Sequence, residues 1–225
     1  MSRGGPILLT GASGQLGWEL RRALLPLAPI VAPGRAQCDL SRPETLADVV
    51  RQVRPQWIIN PAAYTAVDRA ESETALCDTV NAAAPGVLAE AAREAGAGII
   101  HFSTDYVFDG GKRTPYRESD TTAPLNRYGA SKLAGEQAVA AAGAPWLVFR
   151  TGWVYGGHGV NFVRAMQRLL GERSSLSVVD DQIGTPTWAH AIAEAVTIIV
   201  GRYRTPERMA EESGIYHLSC SGSTS

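Results

Sequence analysis

Lysine is the scarce residue of this chain. Of its 21 cationic side chains only Lys112 and Lys132 are lysines; the rest are arginines. Cysteine is scarce as well. Cys38, Cys77 and Cys220 are far apart and outside any C-x-x-C spacing, which argues against a disulfide framework and reads as reduced thiols of a cytoplasmic protein. His101, His158, His190 and His217 never pair at ligand spacing, so no metal site is expected, and His101 reads as a packed core residue. There is no Gly-x-Ser-x-Gly elbow. Asp180 and Asp181 are adjacent rather than on one face, which suits a loop cap or a substrate contact better than a glycosidase pair. An excess of one charge is also missing. The formal net charge is −1 and the charges are scattered, which recommends neither a nucleic-acid nor a membrane partner. No stretch approaches the ~20 apolar residues of a membrane span, and the apolar run at 7–10 is too short for a secretory signal.

What is present is core-forming material: 45% of the 225 residues are hydrophobic, enough for one large domain or two small ones. Short apolar runs at 7–10, 30–32, 57–60, 98–103 and 146–150 alternate with helical patterns. Strands that are nearly continuously apolar belong to parallel sheets covered on both faces. The fold class expected is therefore α/β, a Rossmann-type doubly wound parallel sheet. Residues 1–150 would form the nucleotide-binding domain, rejoined by 188–219 with a last strand at 214–219. Residues 151–187 and 220–225 would form a small, incomplete substrate-binding part. Further expectations are a capping box at Ser41-Arg42-Pro43-Glu44, a helix over 81–95, a short strand at 176–179 and a helix capped by Asn161.

The first strand runs into Gly11-Ala12-Ser13-Gly14-Gln15-Leu16-Gly17 and then a helix. Spaced glycines allow a tight turn and close backbone approach, and the helix N-terminus offers free N–H groups to a pyrophosphate. The second strand ends at Pro33-Gly34-Arg35, without the acid that would accept from a ribose 2′-hydroxyl and with an arginine suited to a 2′-phosphate. NADPH is the cofactor expected, with NADH left open; Asp39-Leu40 would contact the adenine side. Pro61-Ala62-Ala63-Tyr64-Thr65 follows the third strand at the edge where parallel sheets bind ligands.

Tyr128 and Lys132 stand four apart, hence on one helix face. A phenol ionises near pH ~10, and a cation beside it pulls that value down, the tuning a general acid needs. Ser103 and Thr104, at the end of the fourth strand, could reach a substrate carbonyl with a hydroxyl.

These pieces resemble the extended short-chain dehydrogenase/reductase superfamily, and within it the dTDP-4-dehydrorhamnose reductase family. The specific strings are Asn60-Pro61-Ala62-Ala63-Tyr64-Thr65-Ala66-Val67-Asp68, Ser103-Thr104-Asp105-Tyr106-Val107-Phe108, Arg150-Thr151-Gly152-Trp153-Val154-Tyr155 and Asp181-Gln182-Ile183-Gly184-Thr185-Pro186-Thr187. The resemblance implies hydride delivery from NADPH or NADH to C4 of a dTDP-4-keto sugar, giving dTDP-L-rhamnose. It implies Tyr128 as proton donor, Lys132 as the group that lowers the Tyr128 pKa and holds the nicotinamide ribose, and Thr104 as hydrogen-bond donor to the reacting oxygen. Asp105, Trp153 and Asn161 would face the sugar nucleotide. Gly11, Gly14, Gln15 and Leu16 would hold the cofactor, with Arg35, Asp39 and Leu40 at its adenosine end. Ala62, Ala63, Tyr64, Thr65 and Phe102 would complete its site with Tyr128 and Lys132.

The resemblance also implies departures. Pro61 stands where alanine is usual, and the chain reads as C-terminally truncated, with cofactor binding expected to outlast turnover. Some members dimerise with Mg2+ held by glutamates. Glu19 could contribute, but His190 stands near another expected acid, so Mg2+ is not predicted; a homodimer is left open. Two alternatives stay in play: a nucleotide-sugar epimerase or dehydratase, and a non-catalytic NADP-binding regulatory subunit.

Overall fold

The structure, a computed structural model, describes residues 5–225. The chain alternates strand and helix from the start: β1 (Ile7–Leu9), α1 (Gln15–Leu24), β2 (Ile30–Val31), α2 (Leu46–Val53) and β3 (Trp57–Asn60). Two short helices, α3 (Val67–Ala70) and α4 (Thr74–Asp78), lead through a π turn at Thr79–Ala83 into α5 (Ala84–Ala95). Then come β4 (Gly98–Thr104), α6 (Arg127–Ala141), β5 (Trp146–Thr151), β6 (Val154–Tyr155) and α7 (Phe162–Glu172). The described chain ends with β7 (Thr187–Trp188), α8 (Ala189–Tyr203), α9 (Pro206–Met209) and β8 (Gly214–His217).

Six strands form one sheet in the order β2-β1-β3-β4-β5-β8, and every pairing in it is parallel. β1, β3 and β4 are buried at every position, as strands covered on both faces must be. On one face, Leu20 and Leu24 of α1 meet Ile192, Val196 and Val200 of α8 over Ile7, Leu9 and Phe149. On the other, Leu46 and Val50 of α2 pack with Leu88 of α5 and Val139 of α6 over Leu8, Ile58 and Val148. This is the Rossmann-type sheet expected from the apolar runs.

Four local expectations change. Ser41 does not cap a helix: its N–H and hydroxyl both donate to Asp39 Oδ1, at 3.0 and 2.8 Å, and a 3-10 turn at Pro43–Thr45 precedes α2. A carboxylate two residues back outcompetes the capping geometry. The helix expected at 81–95 begins earlier, because the π turn carries the chain from α4 into α5 without a break. Residues 176–179 form no strand, having no neighbouring edge to pair with. The last strand stops at His217. Asn161 does cap α7, its side chain accepting from the Arg164 N–H at 3.1 Å. None of the residues of α7 is buried, despite its strong apolar periodicity.

Candidate active site

At the carboxyl edge of the sheet, a cleft of about 800 Å³ opens beside the β1–α1 turn. Gly11, Ala12 and Ser13 line it, with Arg35, Asp39 and Leu40 at one end and Ala62, Ala63 and Tyr64 along the side. The turn has no room for side chains. A Cβ on Gly17 would lie 2.1 Å from the Gly11 carbonyl oxygen, and Gly11 itself has φ of +56° with Ala62 2.9 Å from its would-be Cβ. The N-cap of α1 is Gly14, with no capping side chain and no acid in the first turn, so its N–H groups are left for an anion. An ADP-ribose phosphate and a reduced or oxidised nicotinamide therefore fit the residues present.

Not all residues expected there contribute alike. The Gln15 amide is engaged within the protein, donating to the Val154 carbonyl at 3.0 Å and accepting from Asn161 at 2.7 Å. The ring of Phe102 does not reach the cleft. Strand alternation turns it into the core, 6.1 Å from Phe149, which leaves the residue's backbone to face the cofactor side. Thr65 is exposed beyond the described lining. Arg35 is exposed on the rim with Nε 3.5 Å from Asp39 Oδ1. Trp18 and His158 also line the cleft, stacked at 4.4 Å. Nothing in their local sequence marked them, since they meet only when residues 156–159 fold over α1.

Tyr128 and Lys132 lie on the inward face of α6, and Thr104 ends β4 beside them. Burial pushes the Tyr128 phenol up to about 12, with the Thr104 hydroxyl acting the other way. Lys132 is 2% exposed, and burial pulls its ammonium down to about 8, opposed by the Glu136 charge. Lys132 is not among the groups that set the Tyr128 shift in this structure. The amine is directed at His101, Nζ to Nε2 at 3.2 Å, so burial rather than the cation dominates at the phenol. The phenol thus keeps its proton throughout the physiological range.

The surroundings fix these groups. Thr104 Oγ1 donates to Asp105 Oδ1 at 3.0 Å and accepts from the Tyr106 N–H at 3.2 Å, while the Tyr106 ring meets Tyr128 edge-on at 5.7 Å. Asn81, in the π turn, clamps residue 64, accepting from its N–H at 2.9 Å and donating to its carbonyl at 3.0 Å. Asn81 also donates to Ser131 Oγ at 3.0 Å, tying the cleft wall to α6. Sequence reasoning missed Asn81; its signal was an asparagine at the start of an alanine-rich helix, too common to single out.

A second cleft of about 540 Å³ lies across β4, lined by Asp105, Lys112, Arg150, Gly152, Asp181 and His217 among others. Burial raises the Asp105 pKa, with the Thr104 hydrogen bond opposing. Of the residues expected at a sugar nucleotide, Asp105 faces this cleft. Trp153, with φ of +48°, lays its ring against Gly184. The Asn161 side chain is engaged within the protein, donating to Gln15 and to the Gly156 carbonyl and accepting from the Arg164 N–H. The Ser103 hydroxyl is buried without a protein partner.

The chain as a whole is similar to known proteins. A family model described as RmlD substrate binding domain matches residues 5–225. A dTDP-4-dehydrorhamnose reductase of Burkholderia thailandensis is 50% identical over 220 residues, 97% of this chain and 74% of the relative. The chain belongs to the dTDP-4-dehydrorhamnose reductase family. The crystal structure of a dTDP-4-dehydrorhamnose reductase from Clostridium acetobutylicum superimposes with a TM-score of 0.90 at 37% identity, covering 98% of this chain and 76% of that one. The Bacillus anthracis reductase, solved in complex with NADP, gives 0.88 at 38% identity, covering 99% and 76%. Within this dTDP-4-dehydrorhamnose reductase family, the chain spans about three quarters of the relatives it matches.

Proposed function

We propose that this chain is an NADPH-dependent oxidoreductase that reduces the 4-keto group of dTDP-4-dehydro-L-rhamnose to give dTDP-L-rhamnose. The observation that carries the reading is a protonated, half-buried Tyr128 with Thr104 beside it and Lys132 one turn behind, at the carboxyl edge of the sheet that also carries the glycine-built cleft. A bound reduced nicotinamide supplies hydride to the C4 carbon. Tyr128 gives its proton to the C4 oxygen as charge develops there, and Thr104, whose hydroxyl donates to Asp105 Oδ1 in this structure, would turn that one hydrogen to the same oxygen. Desolvation of the half-buried phenol holds it protonated until the alkoxide forms. Lys132 positions the nicotinamide ribose. Asp105, on the second cleft, faces the sugar.

The cofactor preference belongs to Arg35, which has no acid preceding it at the end of β2 and is exposed at the cleft rim. Its guanidinium suits a 2′-phosphate.

Following NADPH absorbance with the 4-keto sugar tests the reaction. Tyr128→Phe should lower kcat by about 10²–10⁴-fold with NADPH affinity kept. An epimerase or dehydratase would show no net NADPH consumption, and turnover by the phenylalanine variant would sink the assignment. Arg35→Ala should weaken NADPH at least about tenfold and leave NADH unchanged, because only the 2′-phosphate contact is lost. Equal weakening of both would assign Arg35 elsewhere.

A further inference from the structure

Four buried polar side chains form a line under the cleft: Thr10, Asn60, His101 and Lys132, exposed by 1%, 0%, 0% and 2%. Thr10 Oγ1 donates to Asn60 Oδ1 at 2.6 Å, Asn60 Nδ2 meets His101 Nδ1 at 3.1 Å, and His101 Nε2 meets Lys132 Nζ at 3.2 Å. Asn60 and His101 are registered partners on β3 and β4, so the sheet itself holds them together.

The donors and acceptors of this line pose a problem. A neutral imidazole has one N–H and one lone pair. An amide nitrogen on one side and an ammonium on the other would present it with two donors. The arrangement just described is consistent when Lys132 is an amine, since His101 then donates from Nε2 to Nζ and accepts at Nδ1 from Asn60. When Lys132 is an ammonium, it must donate to Nε2. The ring proton then sits on Nδ1, and the Asn60 amide must turn its oxygen to His101 and its nitrogen to Thr10. Amide orientation and ring tautomer are the two freedoms that such side chains retain in a fixed shape.

We propose that Asn60 and His101 are positioning residues for Lys132, which reverse the direction of all three hydrogen bonds when the amine gains or loses its proton. In each state every contact of the line has one donor and one acceptor, so neither form of Lys132 faces a mismatched ring. Without this line the buried amine would have one workable charge state; with it, Lys132 exchanges protons at fixed depth beside Tyr128. His101 stays neutral throughout, since burial first and the Lys132 charge second hold its pKa well below the usual value. The charged and titratable groups facing Lys132 are Glu136 from α6, His101 from β4 and Cys77 from α4. Glu136 is itself neutralised by Arg150. The catalytic consequence rests on the reductase reading above, whereas the hydrogen-bond reversal does not.

The chain's composition makes the test direct, because lysine labelling yields two side-chain signals, from Lys112 and Lys132. The full chain, labelled with ¹³C-lysine and ¹⁵N-histidine, is titrated by NMR from about pH 6 to 10. The expected result is that the His101 N–H moves from Nδ1 to Nε2 at the midpoint of the Lys132 titration, with no imidazolium formed. Lys132→Met should freeze a single tautomer. One tautomer over the whole range, or a midpoint displaced from that of Lys132 by more than about half a unit, would overturn the proposal.

Two variants read the same device through the enzyme. His101→Gln keeps one acceptor and one donor and should leave the Lys132 midpoint within about half a unit. His101→Phe should lower it by about one unit or more and shift the alkaline limb of the kcat profile with it, because the ammonium loses its acceptor. An unmoved midpoint in His101→Phe also overturns the proposal; if that variant does not fold, the wild-type spectra decide. Absent tautomer exchange with intact turnover defeats this inference alone, and absent turnover with intact exchange defeats the reductase reading alone.

Discussion

Burial strips an ammonium of its hydration, and Lys132 bears that loss in a site where the Glu136 charge is already committed to Arg150. Its folded pKa of about 8 lies below the ordinary 10.5. Between those two values the unfolded chain binds the extra proton, so stability rises with pH across that window and is flat on either side of it. The charged amine therefore costs the fold on the order of 3 kcal/mol near neutrality, relieved above pH ~10. Lys132→Met should be inactive yet at least as stable as the wild type in urea at about pH 7, and should lose that advantage by about pH 10. A stability difference independent of pH would mean that Lys132 is not desolvated as described. The Tyr–Lys spacing was legible in the sequence because helix periodicity alone puts the pair on one face. The direction of the Tyr128 shift was not legible. It depends on how much solvent α6, Tyr106 and Thr104 exclude, and on His101, 31 residues before Lys132, taking up its amine. His101 did announce itself as the polar residue in an apolar strand, but a strand pattern does not say what a buried ring touches.

Along α6 the residues 128, 132 and 136 form one inward stripe, which explains why this helix lacks the apolar periodicity of α2. The stripe is anchored at its far end. Arg150 of β5 donates to both Glu136 carboxylate oxygens, Nε to Oε1 at 2.9 Å and Nη2 to Oε2 at 2.6 Å, with both side chains buried. Midway, a Cβ on Gly135 would lie 2.1 Å from the Asn81 carbonyl oxygen, so α6 sits against the π turn with no side chain between them. Removing one partner of such a pair leaves the other charge buried, and Glu136→Ala should cost about 3–5 kcal/mol in urea denaturation. Glu136→Gln should cost less, because the amide oxygen still accepts from Arg150. Equal losses in the two variants would show that shape rather than charge holds this end of the helix. The element boundaries were readable wherever glycine, proline or an asparagine cap punctuates the pattern, as at Asn161. They were misread where a nearby side chain changed the local competition, as Asp39 does for Ser41, or where a strand had no edge to join, as at 176–179.

Across the whole molecule, the parallel sheet puts its carboxyl ends, and with them both clefts, on one edge. The β-α rhythm made that architecture legible, and it left the position of residues 153–159 and 181–185 unreadable, because those segments have no periodicity of their own and are placed by Gln15, Asn161 and Gly184. The first cleft draws its lining from residues 11–80 and His158, the second from 105–116, 150–152, 181–185 and 217–223. A cofactor held in the first should therefore stabilise the fold independently of the second. NADPH at about 100 times its Kd adds about 2.7 kcal/mol by mass action alone. At roughly 2–4 °C per kcal/mol for a chain of this size, differential scanning fluorimetry should show Tm rising by about 5–10 °C. Asp105→Asn, on the second cleft, should keep that rise while turnover of the 4-keto sugar falls. Loss of the NADPH shift in this variant would mean that the two clefts act as one site, and that the β4 edge does not separate cofactor from sugar.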